Sequence, residues 1–272
     1  MEEPATRRPG DTLLCIRGLS VRFGGIVALD DVSFDVERGA ICGLIGPNGA
    51  GKTTLFNCLS RLYNAHAGSI ELEGRSLLQL PRHAMARMGI GRTFQNLALF
   101  KTMSVDDNIC AGGHCRTRGG FIADALRLPL VRREAQRLRK RAKELVDLLE
   151  LGGVAHLPVA PLSFAMKKRV ELARALASEP KLLLLDEPAG GLNHEEVEQL
   201  GDLIRRVRDT LNLTVLLVEH HLSLVMRISD RVVALDFGRV IAQGTPAEMK
   251  SNRDVIRAYL GTSGEQPAVN PS

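Results

Sequence analysis

The stretch GPNGAGKTT at positions 46–54 combines glycines, a lysine and two hydroxyls in a spacing suited to holding phosphate. Its glycines let backbone N–H groups turn inward toward an anion, and a helix opening behind them adds the positive end of its dipole. In such a cradle Gly46, Pro47, Asn48, Gly49, Ala50 and Gly51 supply the backbone. Lys52 reaches the β and γ phosphates, Thr53 offers its hydroxyl to Mg²⁺, and Thr54 continues the wall. A second run, LLLLDE at 182–187, ends an aliphatic strand in two carboxylates. Asp186 is the metal-side candidate, and Glu187 can orient or deprotonate a water that attacks the γ phosphate. An aliphatic strand ending in Asp-Glu is commonplace alone; beside Lys52 it becomes the other half of one site for a nucleoside triphosphate.

The elements that must position these groups follow from hydrophobic periodicity. Residues 13–36 alternate around Gly24-Gly25 and predict an antiparallel β region. Ala40–Ile45 is continuously apolar, as a strand buried on both faces must be. Further strands are expected at Ser69–Glu73, Lys181–Asp186, Thr214–Glu219, Arg231–Leu235 and Arg239–Ala242, with Phe237-Gly238 as a turn. Between about Ser104 and Leu157 the β signal disappears, and Leu138, Ala142, Leu145, Leu148 and Leu149 recur at helical spacing. Helices are also expected at about 163–178 and 194–210, and Thr245-Pro246 opens a terminal helix. From Gly261 the chain loses its hydrophobic pattern and reads as a loose tail. The alternation of strands and helices predicts an α/β fold with a mostly parallel sheet.

Composition narrows the classes. The chain has 272 residues, 44% hydrophobic and 25% charged, a globular balance that excludes disorder for most of it. Its longest aliphatic runs, Leu182–Leu185 and Val215–Val218, fall far short of the ~20 residues of a spanning helix. The opening MEEPATRRPGD contains no apolar core segment, so no secretory signal is expected and the cytoplasm is the expected compartment. Five cysteines without a CxxC pair argue against a disulfide framework, and Cys110, His114 and Cys115 lack a nearby fourth ligand. With no Trp and 4% aromatic residues, a base-stacking platform for nucleic acid is poorly supplied. Residues 116–143 hold ten Arg or Lys against Asp124 and Glu134. Such a run is either a solvated helix face or a surface for anionic lipid or an acidic partner.

Taken in order, these motifs resemble those of an ATP-binding-cassette (ABC) ATPase, the motor subunit of ATP-driven transporters. The resemblance covers about residues 12–260, with a helical subdomain at about 96–162 and a flexible tail at 261–272. It implies a P-loop nucleotide hydrolase core with an antiparallel β subdomain and an α-helical insert. It also implies roles for further residues. Phe23 sits where the family places an aromatic side chain against adenine. Gln95, in GRTFQN, matches the glutamine that touches Mg²⁺ and the attacking water. AGGLN at 189–193 resembles the loop through which two subunits meet, and His220, in LLVEHH, resembles the histidine that contacts the γ phosphate. Ser163, Phe164 and Ala165 occupy the place of the signature that grips ATP bound to the opposite subunit.

Finer resemblance lies in GIGRTFQNLALFKTMSVDDNI and VIRAYLG, which look like the ATPase subunit of importers for branched-chain amino acids. That subgroup shades into urea importers and a lipopolysaccharide exporter. The implied partners are permease transmembrane subunits, which would meet a groove near Gln95–Phe100 including Leu97 and Leu99, a second ATP-binding subunit, and, indirectly, an extracytoplasmic solute-binding protein. The implied place is the cytoplasmic face of the membrane, the implied ligands are ATP and Mg²⁺, and nucleic acid is not an expected partner. Alternative readings are a low-turnover regulatory subunit and a soluble ABC ATPase acting on nucleic acid or ribosomes. The sequence departs from the family pattern at Ala165, where a glycine-containing pair is usual, at Asn193, where Asp is common, and at His221. Only Ala165 has a direct consequence, because a Cβ there crowds the approach of backbone N–H to phosphate. A heterodimer with unequal ATP sites is therefore expected.

Overall fold

The computed structural model describes residues 12–93, 97–116 and 129–261. Along the chain run β1 (Thr12–Phe23), β2 (Ile26–Glu37), β3 (Ile41–Ile45), α1 (Lys52–Leu59), β4 (Ala67–Leu72), β5 (Arg75–Ser76), α2 (Met85–Met88) and β6 (Ile90–Arg92). There follow α3 (Val105–Gly112), α4 (Pro129–Leu148), α5 (Phe164–Leu176), β7 (Leu182–Asp186), α6 (His194–Leu211) and β8 (Thr214–Val218). The described chain ends with α7 (Leu222–Ile228), β9 (Arg231–Asp236), β10 (Arg239–Gly244), α8 (Pro246–Ser251) and α9 (Arg253–Gly261).

Two sheets result. One has the order β2-β1-β4-β5 and is antiparallel; the other has the order β10-β9-β3-β8-β7-β6 and is parallel except for the β9–β10 hairpin. Every residue of β3, β7 and β8 is buried, because each strand faces a core on both sides. Alternate side chains divide between them. Leu182, Leu184, Leu216 and Val218 join Leu55, Phe56 and Leu59 of α1 and the inner face of the antiparallel sheet. Leu183, Leu185, Val215 and Leu217 join Val170 and Leu172 of α5 and Val197, Leu200 and Ile204 of α6. An alternating apolar and polar strand could not satisfy both layers, which explains the unbroken aliphatic runs. Helix α1, carrying Lys52 and Thr53, is thus held between two sheets.

Most elements match the sequence expectations to within a residue or two. The expected single terminal helix is instead two helices, α8 and α9, broken at Asn252, whose side chain accepts from the N–H groups of Asp254 and Val255. Strand β6 was not expected. The tail after Gly261 lies outside the described residues. So does the central part of the basic run. Of its described members, Arg116 donates to the carbonyls of Ser178 and Glu179 at 2.8 and 2.6 Å, and Arg137 bonds both oxygens of the Glu179 carboxylate. These residues bind the chain leaving α5, where a cation is favoured by the helix dipole.

The segment before α3 is fastened by one buried amide. Asn108, fully buried, accepts the Phe100 N–H at 2.9 Å and donates to the carbonyls of Phe100, Ser104 and Met103 at 3.0, 2.9 and 3.3 Å. Truncating it leaves the Phe100 N–H without its partner and removes one of two hydrogen bonds from each of the Phe100, Met103 and Ser104 carbonyls. Asn108→Ala is expected to lower stability by about 2 to 3 kcal/mol, read as a reduced midpoint in urea denaturation.

Candidate functional site

The phosphate-loop sequence folds as a turn between the buried end of β3 and the first residue of α1. Gly46 lies against β9: a Cβ there would sit 2.2 Å from the Leu235 carbonyl oxygen. Gly51, at φ 101°, caps α1 in the left-handed region, and a Cβ would meet the Ala28 carbonyl at 2.6 Å. Neither position accepts another residue without moving backbone. Between them Pro47 and Ala50 are buried, Asn48 and Gly49 are exposed, and Thr53 and Thr54 begin the helix. The Gly46 N–H donates to the Tyr259 hydroxyl of α9 at 2.8 Å, and the Gly238 N–H donates to the Ala50 carbonyl at 3.1 Å.

Lys52 is only 5% exposed, and its ammonium donates to the carbonyls of Gly46 and Pro47 at 2.7 and 2.9 Å. Burial pulls its pKa below the ordinary lysine range, while the negative charge of Glu187 works in the opposite direction. Phosphate oxygens in the same position would favour the charged ammonium further.

The two carboxylates at the end of β7 face different surroundings. Asp186 is buried, and its Oδ2 accepts from Arg92 of β6 at 2.8 Å. Glu187 has φ 48°, a left-handed conformation costly for a side-chain-bearing residue, and its N–H is bonded to the Val218 carbonyl at 2.9 Å. This turn aims its carboxylate at the end of the neighbouring β8. There the His220 ring Nε2 lies 2.6 Å from Glu187 Oε1. Glu219, buried between them in sequence, accepts the Ala189 N–H at 2.6 Å and the His220 N–H at 3.0 Å. One carboxylate therefore fixes both the loop after Glu187 and the backbone of His220.

The structure thus brings together Lys52, Glu187 and His220, with Asp186 one residue from Glu187. Gln95 lies outside the described residues. Phe23, at the exposed end of β1, stands edge-on to Tyr63 with ring centres 5.1 Å apart and planes at 71°. Ser163 caps α5, its hydroxyl accepting the Met166 N–H at 3.3 Å. Phe164 is 45% exposed; its ring lies beside Gly191 and within 5.5 Å of the Lys168 ammonium, and Ala165 follows it in the first turn. Asn193 caps α6 in a reciprocal capping box with Glu196, a task for which asparagine serves as well as aspartate. Leu99 packs against the core, whereas Phe100 is 52% exposed, so among the described residues of this segment the large apolar side chain offered to solvent is Phe100.

Sequence reasoning missed Arg92, Tyr63 and Tyr259 as neighbours of these groups, and gave Glu219 no task. Only Glu219 carried a local signal, as an acid directly after the aliphatic run of β8. Burial raises the thiol pKa of Cys42 to about 12 and of Cys58 to about 11, which removes both from nucleophilic chemistry near neutral pH. Among the described residues, no group of three or more His, Cys, Asp or Glu side chains could hold a metal by itself. Hard oxygens at Thr53 and Asp186 suit Mg²⁺ shared with phosphate, which needs few protein ligands.

Comparison with known proteins fits this arrangement. Residues 29–190 match the ABC transporter family, and residues 239–265 match the branched-chain amino acid ATP-binding cassette transporter family. The high-affinity branched-chain amino acid transport ATP-binding protein LivG of Salmonella typhimurium is 43% identical over 249 residues, covering 92% of this chain and 98% of that protein. The corresponding protein BraF of Pseudomonas aeruginosa is 41% identical over the same shares. An ATP-binding cassette of an ABC transporter in its ADP conformation superposes with a TM-score of 0.80 at 26% identity, covering 93% of this chain and 100% of that one. CbiO1 of Clostridium perfringens, part of the ABC transporter complex cbiONQ, gives a TM-score of 0.76 at 28% identity, with shares of 93% and 100%. The glycine-pinned loop, the paired carboxylates and this likeness over nearly the whole chain lead to one conclusion: the chain belongs to the ABC transporter family and is its ATP-binding, ATP-hydrolysing subunit.

Proposed function

We propose that the chain powers an importer of branched-chain or related amino acids from the cytoplasmic face of the membrane. The observation that carries the cargo class is the match of residues 239–265 to the branched-chain cassette family, at a segment whose Tyr259 bonds the first amide of the phosphate loop. Likeness to LivG and BraF over 92% of the chain supports the same reading. Two such subunits would close on two ATP molecules and drive permease subunits supplied with solute by an extracytoplasmic binding protein.

In this reading ATP lies with its adenine against Phe23 and its phosphates in the loop 46–54. Lys52 transfers its hydrogen bonds from loop carbonyls to the β and γ phosphates. Thr53, Asp186 and Gln95 hold Mg²⁺, which when bound withdraws charge from the phosphates. Glu187 accepts a hydrogen bond from the attacking water and receives its proton as the water oxygen bonds to the γ phosphorus and the bond to the departing ADP oxygen breaks. His220, 2.6 Å from Glu187, fixes the carboxylate and can reach the γ phosphate. Ser163, Phe164 and Ala165 serve the ATP bound to the partner, and Asn193 lies in the loop between subunits. Phe100, held through its backbone by Asn108, is the exposed apolar contact for a permease helix.

Replacing Glu187 with Gln should leave ATP affinity unchanged by calorimetry while slowing phosphate release about 10²- to 10⁴-fold and accumulating closed dimers. Unaltered turnover would remove Glu187 from the water. Phe100→Asp should abolish solute uptake into vesicles while sparing ATP binding, and normal coupling would place the permease contact elsewhere. The Ala165 signature points to a heterodimer, because a homodimer would carry the defect twice. A lost backbone hydrogen bond to a charged phosphate costs about 1.5 to 3 kcal/mol, so Ala165→Gly should raise turnover of the assembled complex. An active homodimer with equal sites would contradict the asymmetry.

A further inference from the structure

Arg92 ends β6, an edge strand of three residues, yet its side chain runs inward and is only 9% exposed. Its fork divides between two elements. Nη2 donates to Asp186 Oδ2 at 2.8 Å, while Nη1 donates to Ser60 Oγ at 2.9 Å, Asn57 Oδ1 at 3.0 Å and the Phe56 carbonyl at 3.3 Å. The guanidinium carbon also lies 5.7 Å from the centre of the Phe56 ring. Phe56 and Asn57 lie toward the C-terminal end of α1 and Ser60 caps it, and that end has no basic residue of its own in the last turn. Arg92 therefore supplies, from a different strand, the cation that the negative end of the helix favours.

The opposite end of the same helix carries Lys52 and Thr53. Arg92 is thus a rigid strut between the helix that bears the hydroxyl and the strand that bears the carboxylate. It takes up one oxygen of Asp186, Oδ2, which orients the carboxylate group as a whole. A planar guanidinium can bond a carboxylate and a helix end at once; a lysine ammonium supplies the charge but not the fork.

We infer that Arg92 is a positioning residue for Mg²⁺: by tying Asp186 to the end of α1 it fixes the distance and orientation between the Asp186 carboxylate and the Thr53 hydroxyl. The inference rests on the reading of Asp186 and Thr53 as the magnesium-side ligands. Groups that orient a metal-bound carboxylate without touching the ion affect metal affinity by about 10- to 100-fold. Arg92 has the contacts expected of such a group, and its burial beside Asp186 leaves few alternative arrangements for either side chain.

The test uses the full chain, with Mn²⁺ as a paramagnetic substitute for Mg²⁺ and a fluorescent ATP analogue. In Arg92→Met, Mn²⁺ affinity of the nucleotide-bound chain, read by electron paramagnetic resonance, should fall about 10- to 100-fold, while nucleotide affinity in a chelator stays unchanged. Arg92→Lys should fall between wild type and Arg92→Met, and it carries the test alone if Arg92→Met does not fold. Unchanged or tighter Mn²⁺ binding would overturn the inference, as would equal losses of nucleotide affinity with and without metal, which mark a residue that only holds the fold. Asp186→Asn separates the two levels. If that variant keeps its Mn²⁺ affinity, the reading of Asp186 itself fails; if it loses affinity while both Arg92 variants keep theirs, only the role of Arg92 falls.

Discussion

A buried ammonium must be hydrogen-bonded, and Lys52 meets that demand by folding back onto the carbonyls of Gly46 and Pro47. The rest of the site depends on this closure. It requires the loop to turn tightly enough for its own first residues to face the helix it leads into. That turn in turn requires Gly46 against the Leu235 carbonyl and Gly51 against the Ala28 carbonyl. The two carbonyls belong to strands of different sheets, so the shape of the loop depends on the packing of both sheets around α1. The chemistry at Lys52 is for that reason a product of the whole double-layered core.

Around this loop three carboxylates stand at the ends of two adjacent parallel strands, and each has a different kind of partner. Asp186 is paired with a guanidinium, Glu187 with an imidazole, and Glu219 with backbone amides. Partner type separates their tasks. A carboxylate held at one oxygen by Arg92 is oriented, which suits the metal-side role proposed for Asp186. Glu187, 20% exposed at its side chain and turned by a left-handed backbone, is the one that can meet water. Glu219 is saturated by N–H groups and serves as an internal post for the loop at 189 and for His220.

The sequence made legible what periodicity and short motifs encode. The aliphatic runs of β3, β7 and β8 announced a sheet buried on both faces, and the spacing from Gly46 to Thr53 announced a phosphate cradle. What it did not disclose were contacts set by distant parts of the chain. Strand β6 is three residues long with a glycine in the middle, too short for any alternation, so its inward arginine gave no signal. Tyr259 reads as one apolar position of a C-terminal helix, and only the packing of α9 against β10 and α8 brings its hydroxyl to Gly46. The break at Asn252 escaped for a related reason: an asparagine is tolerated inside a helix, and its role as a cap is decided by the turn it takes. Leu99 and Phe100 are both apolar, and composition cannot tell which of the two faces the core.

If the buried closure of Lys52 is the resting form of an ATP site completed by Asp186 and Glu187, bound nucleotide must open it. A crystal structure of the chain with Mn²⁺ and a non-hydrolysable ATP analogue tests it most directly. In that crystal Lys52 is expected to turn from the Gly46 and Pro47 carbonyls to the β and γ phosphates, with an anomalous Mn²⁺ peak between Thr53 and Asp186 and the Glu187 carboxylate facing the γ phosphorus. Nucleotide bound away from residues 46–54, or phosphates in the loop with Lys52 still bonded to its carbonyls, would contradict it.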